Sequence, residues 1–394
     1  MDGAARVAAD AGRAVGFPRG NILVVPLLPG EPRIVDPAKE QALTERFLLP
    51  ALADLEIMLL ELRELLDPEL RRARPIKLGK PYPIGQCLEI ARAARNRLRQ
   101  MDGSGLTHRA ARGFRALRAF QRAGGAFRLV WGDLRGQYFQ NAFQLGTLYV
   151  DIANDTVVPT KPKIEILPFA AADFSPIADY QHFARIAARY WRHRIFPNHV
   201  LPEIAPFCPL IHVWPSGRIA LHEISGYMLA MTQAGGFAPS EGVLQLPPIP
   251  DDVFGRVVDG LTGGPHELAR SPQLGRALAL SHCRRAREKR WYRSSRQTAK
   301  IVTRVWCINR RLAQWHHGIT AEEKPVRILK IDGVDYDLAG LSAEAKAQLQ
   351  NIQAVDQELA RLQVQAAALK TARNVYVGAL KAALEAPGSS PFAG

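Results

Sequence analysis

Cysteine is scarce and scattered in this chain: four among 394 residues, at Cys87, Cys208, Cys283 and Cys307. That number and spacing exclude a disulfide framework and supply no CxxC pair for a zinc ribbon. Long apolar runs are missing too, and none approaches the roughly 20 residues needed to span a bilayer. The N-terminal stretch MDGAARVAADAGRAVG has neither the basic region nor the continuous apolar region of a secretory signal. These absences predict a cytoplasmic protein without a transmembrane segment. A phosphate-cradling loop is also lacking, since Gly124-Gly125, Gly235-Gly236 and Gly263-Gly264 carry neither the Lys-Ser/Thr of a P-loop nor GxGxxG spacing. Gly-x-Ser-x-Gly is absent as well, which leaves an α/β-hydrolase nucleophile without support.

The scarcity that says most is that of acid in residues 270–330. Only Glu288, Glu322 and Glu323 oppose 16 Lys or Arg there, a surplus of 13 within a chain of net charge +15. Residues 1–269 sum to +4 and residues 331–394 to −2. An anionic partner is therefore expected at this one region. Arg284, Arg285, Arg287, Lys289, Arg290, Arg293, Arg296, Lys300 and Arg304 are the candidate polyanion-binding residues, interleaved with Trp291 and Tyr292. Cations along a helix track phosphates and an aromatic ring stacks on a base, so nucleic acid is favoured over other anions. The plainer reading is a solvated helix whose charge is balanced by acidic neighbours.

A composition of 47% hydrophobic and 23% charged residues is that of a folded protein with real cores. Apolar residues at threes and fours predict helices over 40–66, with Pro50 marking a kink or late start, and over 85–101 and 107–122. Beyond Gly124-Gly125, short β-branched or aromatic runs at 127–131, 147–152 and 163–167 predict strands, followed by a helix at 179–192. A hairpin is expected from Ile211–Trp214 and Arg218–His222 around Pro215-Ser216-Gly217. Residues 276–317 contain neither Gly nor Pro and end at Gly318, a C-cap candidate. They predict one long helix of about 60 Å or two helices broken at Ser294-Ser295. Asp332-Gly333 between alternating runs predicts a second hairpin, and a further long helix begins near Ser342.

The fold class is thus α+β and predominantly helical. It divides into a helical N-terminal region (1–122), a central α+β domain (123–234), a Gly/Pro-rich surface connection (235–269), a basic helical segment (270–327) and a hairpin plus long helix (328–386). The last of these carries an unbroken apolar repeat that includes Leu349, Ile352, Leu359, Leu362 and Leu369, the candidate oligomerisation residues. Such a repeat needs a partner helix: the 276–317 helix, its own second half, or another chain. A homo-oligomer is the expectation.

Residues 328–384, with IDGVDYDLAGLSAEAKAQLQ and VDQELARLQVQAAALKTARNVY, resemble a small family of uncharacterised bacterial and phage proteins. The resemblance covers about a seventh of the chain and implies a detachable module, with no activity attached.

Chemistry elsewhere has weaker candidates. His182, His193, His199, His212 and His222 cluster in sequence with Cys208 and Glu223, the donor types that bind zinc or iron. His212 and His222 are the metal candidates because a hairpin puts them on one face; separate core and surface histidines are the alternative. Asp151 and Asp155 close a strand, where carboxylates hold a divalent cation or a sugar hydroxyl, although Asn154-Asp155 is also good turn chemistry. Asp133, Arg135, Tyr138 and Asn141 in WGDLRGQYFQN suit a ligand pocket or a strand-loop-helix corner. Asp133, Asp151, Asp155 and Glu223 are the candidate catalytic residues, with a divalent metal as the cofactor. The sequence leaves open whether the protein is an enzyme. A binding or scaffold protein engaging a polyanion leads, and a metal- or nucleotide-sugar-dependent enzyme with its site in the central domain is the alternative.

Overall fold

A computed structural model describes residues 26–322 other than 78 and 223–225, together with 328–331, 334–337 and 377. Asp36 opens the first helix, its carboxylate accepting from the Lys39 N–H, and α1 runs Pro37–Leu43. A π turn at Thr44–Leu48 and a 3-10 turn at Leu49–Ala51 follow before α2, Leu52–Ala73. Pro50 lies in that 3-10 turn, where a missing N–H costs least, so the expected late start is what forms. Leu55, Met58, Leu59, Leu62 and Leu66 give α2 its buried stripe. A two-residue ladder, β1 (Ile76–Lys77) with β2 (Lys80–Pro81), leads to α3, Cys87–Gln100, and α4, His108–Arg122, capped by the Thr107 hydroxyl. Gly113 lets α4 lie directly on α2: a Cβ there would sit 2.3 Å from the Asp54 carbonyl oxygen.

Five antiparallel strands come next: β3 (Phe127–Leu134), β4 (Tyr138–Leu145), β5 (Leu148–Asp151), β6 (Glu165–Pro168) and β7 (Phe174–Ser175). Their order in the sheet is β6-β5-β4-β3-β7. The long strand β4 replaces the expected pocket or corner at WGDLRGQYFQN, because Arg135 and Gly136 in the left-handed region close a tight β3–β4 hairpin. Phe143, Leu145, Leu148 and Val150 face α2–α4 in one core with Leu55, Ile90 and Phe114, which runs straight across the 122/123 boundary. Val130, Ala142 and Tyr149 point to the opposite face with Ala172 and Phe174.

The second half is built on α5 (Tyr180–Trp191) and a three-stranded antiparallel sheet ordered β10-β9-β8. Its strands are β8 (Arg194–Pro197), β9 (Leu210–Val213) and β10 (Ile219–Leu221), the last two forming the expected hairpin. Helices α6 (Gly226–Ala234), α7 (Ala238–Leu244) and α8 (Asp251–Leu261) follow. The stretch 235–269 is therefore no surface connection: Val243 and Leu244 of α7 and Val253, Phe254, Val257 and Leu261 of α8 are buried. Its glycines and prolines mark only the joints between short helices, and the apolar positions between them set the packing.

Two helices close the described body, α9 (Pro272–Glu288) and α10 (Ser295–Glu322); the expected break forms, but it spans 289–294 and begins ahead of the serines, which lead into α10. Gly318 does not end α10, which continues to Glu322. A glycine caps a helix where it takes the left-handed conformation itself, and Gly318 is instead carried as one helical residue at modest cost. Strands β11 (Ile328–Ile331) and β12 (Val334–Asp337) pair antiparallel with Ile331 opposite Val334, a two-residue connection at Asp332-Gly333. Leu349, Ile352, Leu359, Leu362 and Leu369 lie outside the described residues, as does Glu223. No helix among the described residues is long and apolar enough to cross a membrane.

Candidate functional site

The basic region folds as an elbow. Ser271 caps α9 by accepting from the Leu274 N–H at 3.2 Å, with Pro272 at the first turn. Gly275, Ala279, Cys283 and Ala286 then form a small-residue stripe that lets α9 settle closely onto the core. At Gly275 a Cβ would stand 1.7 Å from the His199 carbonyl oxygen, so no other residue fits. Arg290 takes a left-handed backbone (φ 52°) and the chain makes one 3-10 turn, Trp291–Arg293. Helix α10 then buries Ile301, Val305, Ile308 and Leu312, together with Thr298. Asn309 fixes its register, its amide bridging the Leu221 N–H (2.7 Å) and C=O (3.1 Å) of β10.

The nine candidate cations divide by what surrounds them. Arg287 binds the Glu241 carboxylate and donates to the Gly236 carbonyl at 2.9 Å. Arg304 pairs with Glu203 at 2.7 Å and is the first reason that this carboxyl lies below its ordinary pKa. Lys289 stands over the Trp291 ring at 5.7 Å and Arg293 over Tyr292 at 5.6 Å. Both aromatics are half-buried against the core, with Tyr292 edge-on to Phe237. Arg284, Arg285, Arg290, Arg296 and Lys300 remain exposed, and none of the five lies within ion-pair distance of a carboxylate among the described residues. They straddle the break between α9 and α10. His282, on the same helix, is held below its ordinary pKa by burial, with Glu203 and Glu267 opposing the shift and Arg285 adding to it.

The candidates of the central domain scatter over separate neighbourhoods. Asp155 is held by Arg63, whose Nη1 and Nη2 lie 2.9 and 3.0 Å from its two oxygens. Arg63 is fully buried and also reaches Asp67 and the Ile152 carbonyl. Asp155 is thus half of an ion pair that ties α2 to the end of β5, a structural use that leaves no free carboxylate for a cation. Tyr82 and Lys163 complete the network on Asp67 at 2.6 and 2.7 Å. Sequence inspection missed it, although one signal was present: Arg63 falls among the apolar positions of α2, one turn before Asp67. Beside it Glu64, Asp67, Arg71, Arg72 and Lys163 line an open depression of about 520 Å³.

Asp151 is wholly buried on the other face of the sheet and accepts from Gln140 (2.5 Å), the Tyr149 hydroxyl (3.1 Å) and the Ala153 N–H (2.7 Å). Burial pushes its pKa up to about 6 against those bonds. Asp133 faces α5, with Oδ2 2.9 Å from His182 Nε2, while His182 Nδ1 accepts from the Ala178 N–H at 3.2 Å. Both ring nitrogens are engaged, which fixes the tautomer with the proton on Nε2. Arg135 pairs with Glu165, Tyr138 packs near Tyr190, and Asn141 contacts the Cys87 thiol, so the expected pocket of Asp133, Arg135, Tyr138 and Asn141 does not assemble.

His212 and His222 do meet, as the hairpin requires: His222 Nδ1 lies 3.1 Å from His212 Nε2. Their rings are nearly parallel, 12° apart with centroids at 5.1 Å. That separation is what an in-line N–H···N bond between two imidazoles gives, so the nitrogens aim at each other and not at a shared third point. Burial drives the His222 pKa down to about 4, and burial followed by the neighbouring histidines drives His212 well down. Phe183 packs edge-on to His222 at 4.6 Å and His193 stands beside His212 at 5.8 Å. Among the described residues no group of three or more His, Cys, Asp or Glu is arranged to hold a metal ion.

Comparison with known proteins adds no relative: no family model, curated protein or solved structure matches the chain.

Proposed function

We propose that this is a self-associating binding or scaffold protein of bacterial or phage type whose α9–α10 elbow engages a polyanion, nucleic acid being favoured. One observation carries the reading. At the elbow Arg287 and Arg304 have carboxylate partners, whereas Arg284, Arg285, Arg290, Arg296 and Lys300 are exposed with none among the described residues, and Lys289 and Arg293 meet only aromatic rings. Unneutralised positive charge at one place lowers the stability of the isolated fold and draws anionic ligands to that place. The apolar repeat at 345–380 supports the self-association, and the resemblance of residues 328–384 to a detachable module supports the bacterial or phage type.

A salt titration of binding to single- and double-stranded DNA and to RNA tests this. Each duplex phosphate neutralised contributes about 0.9 to the slope of log affinity against log salt, so Gln at 284, 285, 290, 296 and 300 should flatten it by up to about 4.5. Arg287→Gln and Arg304→Gln should lower stability and leave the slope nearly unchanged. Absence of binding even at roughly 50 mM salt removes the proposal. The alternative, a metal- or nucleotide-sugar-dependent enzyme in the central domain, has less support because Asp155 is committed to Arg63 and His212 and His222 to each other.

A further inference from the structure

A second group of cations lies far from the elbow in sequence, on α3. This helix carries Arg92, Arg95, Arg97 and Arg99, and only one of the four is neutralised: Arg97 pairs with Glu69 at 3.3 Å. The helix's one glutamate, Glu89, is taken by Arg74 and Lys77, at 3.1 and 2.9 Å. Arg92, Arg95 and Arg99 stand at i, i+3 and i+7, which places them in one row on one face, neighbours about 5–6 Å apart at Cβ. No carboxylate lies within ion-pair distance of any of them among the described residues.

Arg95 is the centre of the row and its oddest member. Its Nε is buried and has no hydrogen-bond partner among the described residues. A buried N–H without an acceptor is destabilising, more so when the group is charged. The guanidinium is held below its ordinary pKa by burial first, then by Arg99 and Arg92. Three like charges thus share one face of α3, with Arg92 and Arg99 exposed and Arg95 partly buried between them. Arg99 alone is explained by the negative end of the helix dipole, but Arg92 and Arg95 lie too far from the last turn for that.

We propose that Arg92, Arg95 and Arg99 form an anion site on α3 for a pyrophosphate group, as carried by a nucleoside di- or triphosphate. Guanidinium forks match phosphate oxygens two at a time, and a row of three spans two adjacent phosphoryl groups better than one. A single carboxylate would leave most of the donors unsatisfied. This site is independent of the elbow and does not rest on it.

The test uses the full chain, sodium pyrophosphate as probe and chloride at matched ionic strength as reference. Wild-type protein should gain about 2 °C or more in Tm with excess pyrophosphate and show saturable heat in calorimetry. Arg92→Gln/Arg99→Gln should lose that gain. Arg95→Gln should melt higher than wild type without ligand, because a repelled and unbonded charge is gone, and should also lose the pyrophosphate gain. The elbow variant with five Gln substitutions should keep it, which separates this proposal from the previous one. Equal gains in wild type and both α3 variants, no gain at all, or a gain with an oligonucleotide but none with pyrophosphate would each overturn the assignment.

Discussion

Two buried groups titrate in the same pH window with opposite effects on stability, and separating them tests the electrostatic reading of the central sheets. His222 is 9% exposed and its pKa falls from the ordinary 6.5 to about 4. Between those values the unfolded chain binds a proton that the folded chain does not, so stability drops as the pH falls. Asp151 is 0% exposed and its pKa rises from 3.8 to about 6. In its window the folded chain holds the extra proton, so its contribution is fully present below 3.8 and is lost as the pH rises through 6. At 1.36 kcal/mol per unit, each effect amounts to about 3 kcal/mol. They oppose one another between about pH 4 and 6. Asp151→Asn should therefore make the protein lose up to about 3 kcal/mol more than wild type on acidification from pH 6.5 to 4, whereas His222→Phe should lose less by a similar amount. The fixed cost of each substitution is the same at every pH, so the difference in slope isolates the titration. Urea midpoints followed by fluorescence of the six tryptophans supply the curves. Parallel curves for wild type and both variants would refute the assignment of these two groups as buried and oppositely shifted.

Two other predictions address the helices. Arg63→Met should cost about 3–5 kcal/mol in urea unfolding, since it leaves the buried Asp155 uncompensated, while Arg63→Met/Asp155→Leu should cost less than the single variant; additive costs would show that the pair is not coupled. Leu359→Asp with Leu362→Asp should dissociate the assembly in light scattering, and a monomer both before and after would remove self-association from the proposal.

What could be read from the sequence follows the range of the forces involved. Helices α2, α3, α4, α5 and α10 were legible because a helix advertises its buried face every three or four residues. The Val213–Ile219 hairpin was legible because Pro215-Ser216-Gly217 is local turn chemistry. Strand β4 was not, since YFQNAFQL alternates Phe139, Asn141, Phe143 and Leu145 against Gln140, Ala142 and Gln144, and both rows are buried. A strand covered on both sides has no polar face to show its period, and the polar residues in it look like site chemistry until their partners are placed.

The same limit governs charge. Counting Lys and Arg located the basic region, but whether a given cation is available depends on acids remote in sequence. Glu241 reaches Arg287 across 46 positions and Glu203 reaches Arg304 across 101. On α3 the count gave no warning, because residues 1–269 are close to neutral overall. There Glu69 and Glu89 are placed so that one arginine of four has a partner. Net charge per segment therefore says where anions are attracted on average, while the unpaired remainder says where a phosphate would find donors already aimed. By that measure the elbow residues Arg284, Arg285, Arg290, Arg296 and Lys300 and the α3 row of Arg92, Arg95 and Arg99 are comparable, although the first sits in a segment with a surplus of 13 and the second in one that is nearly balanced.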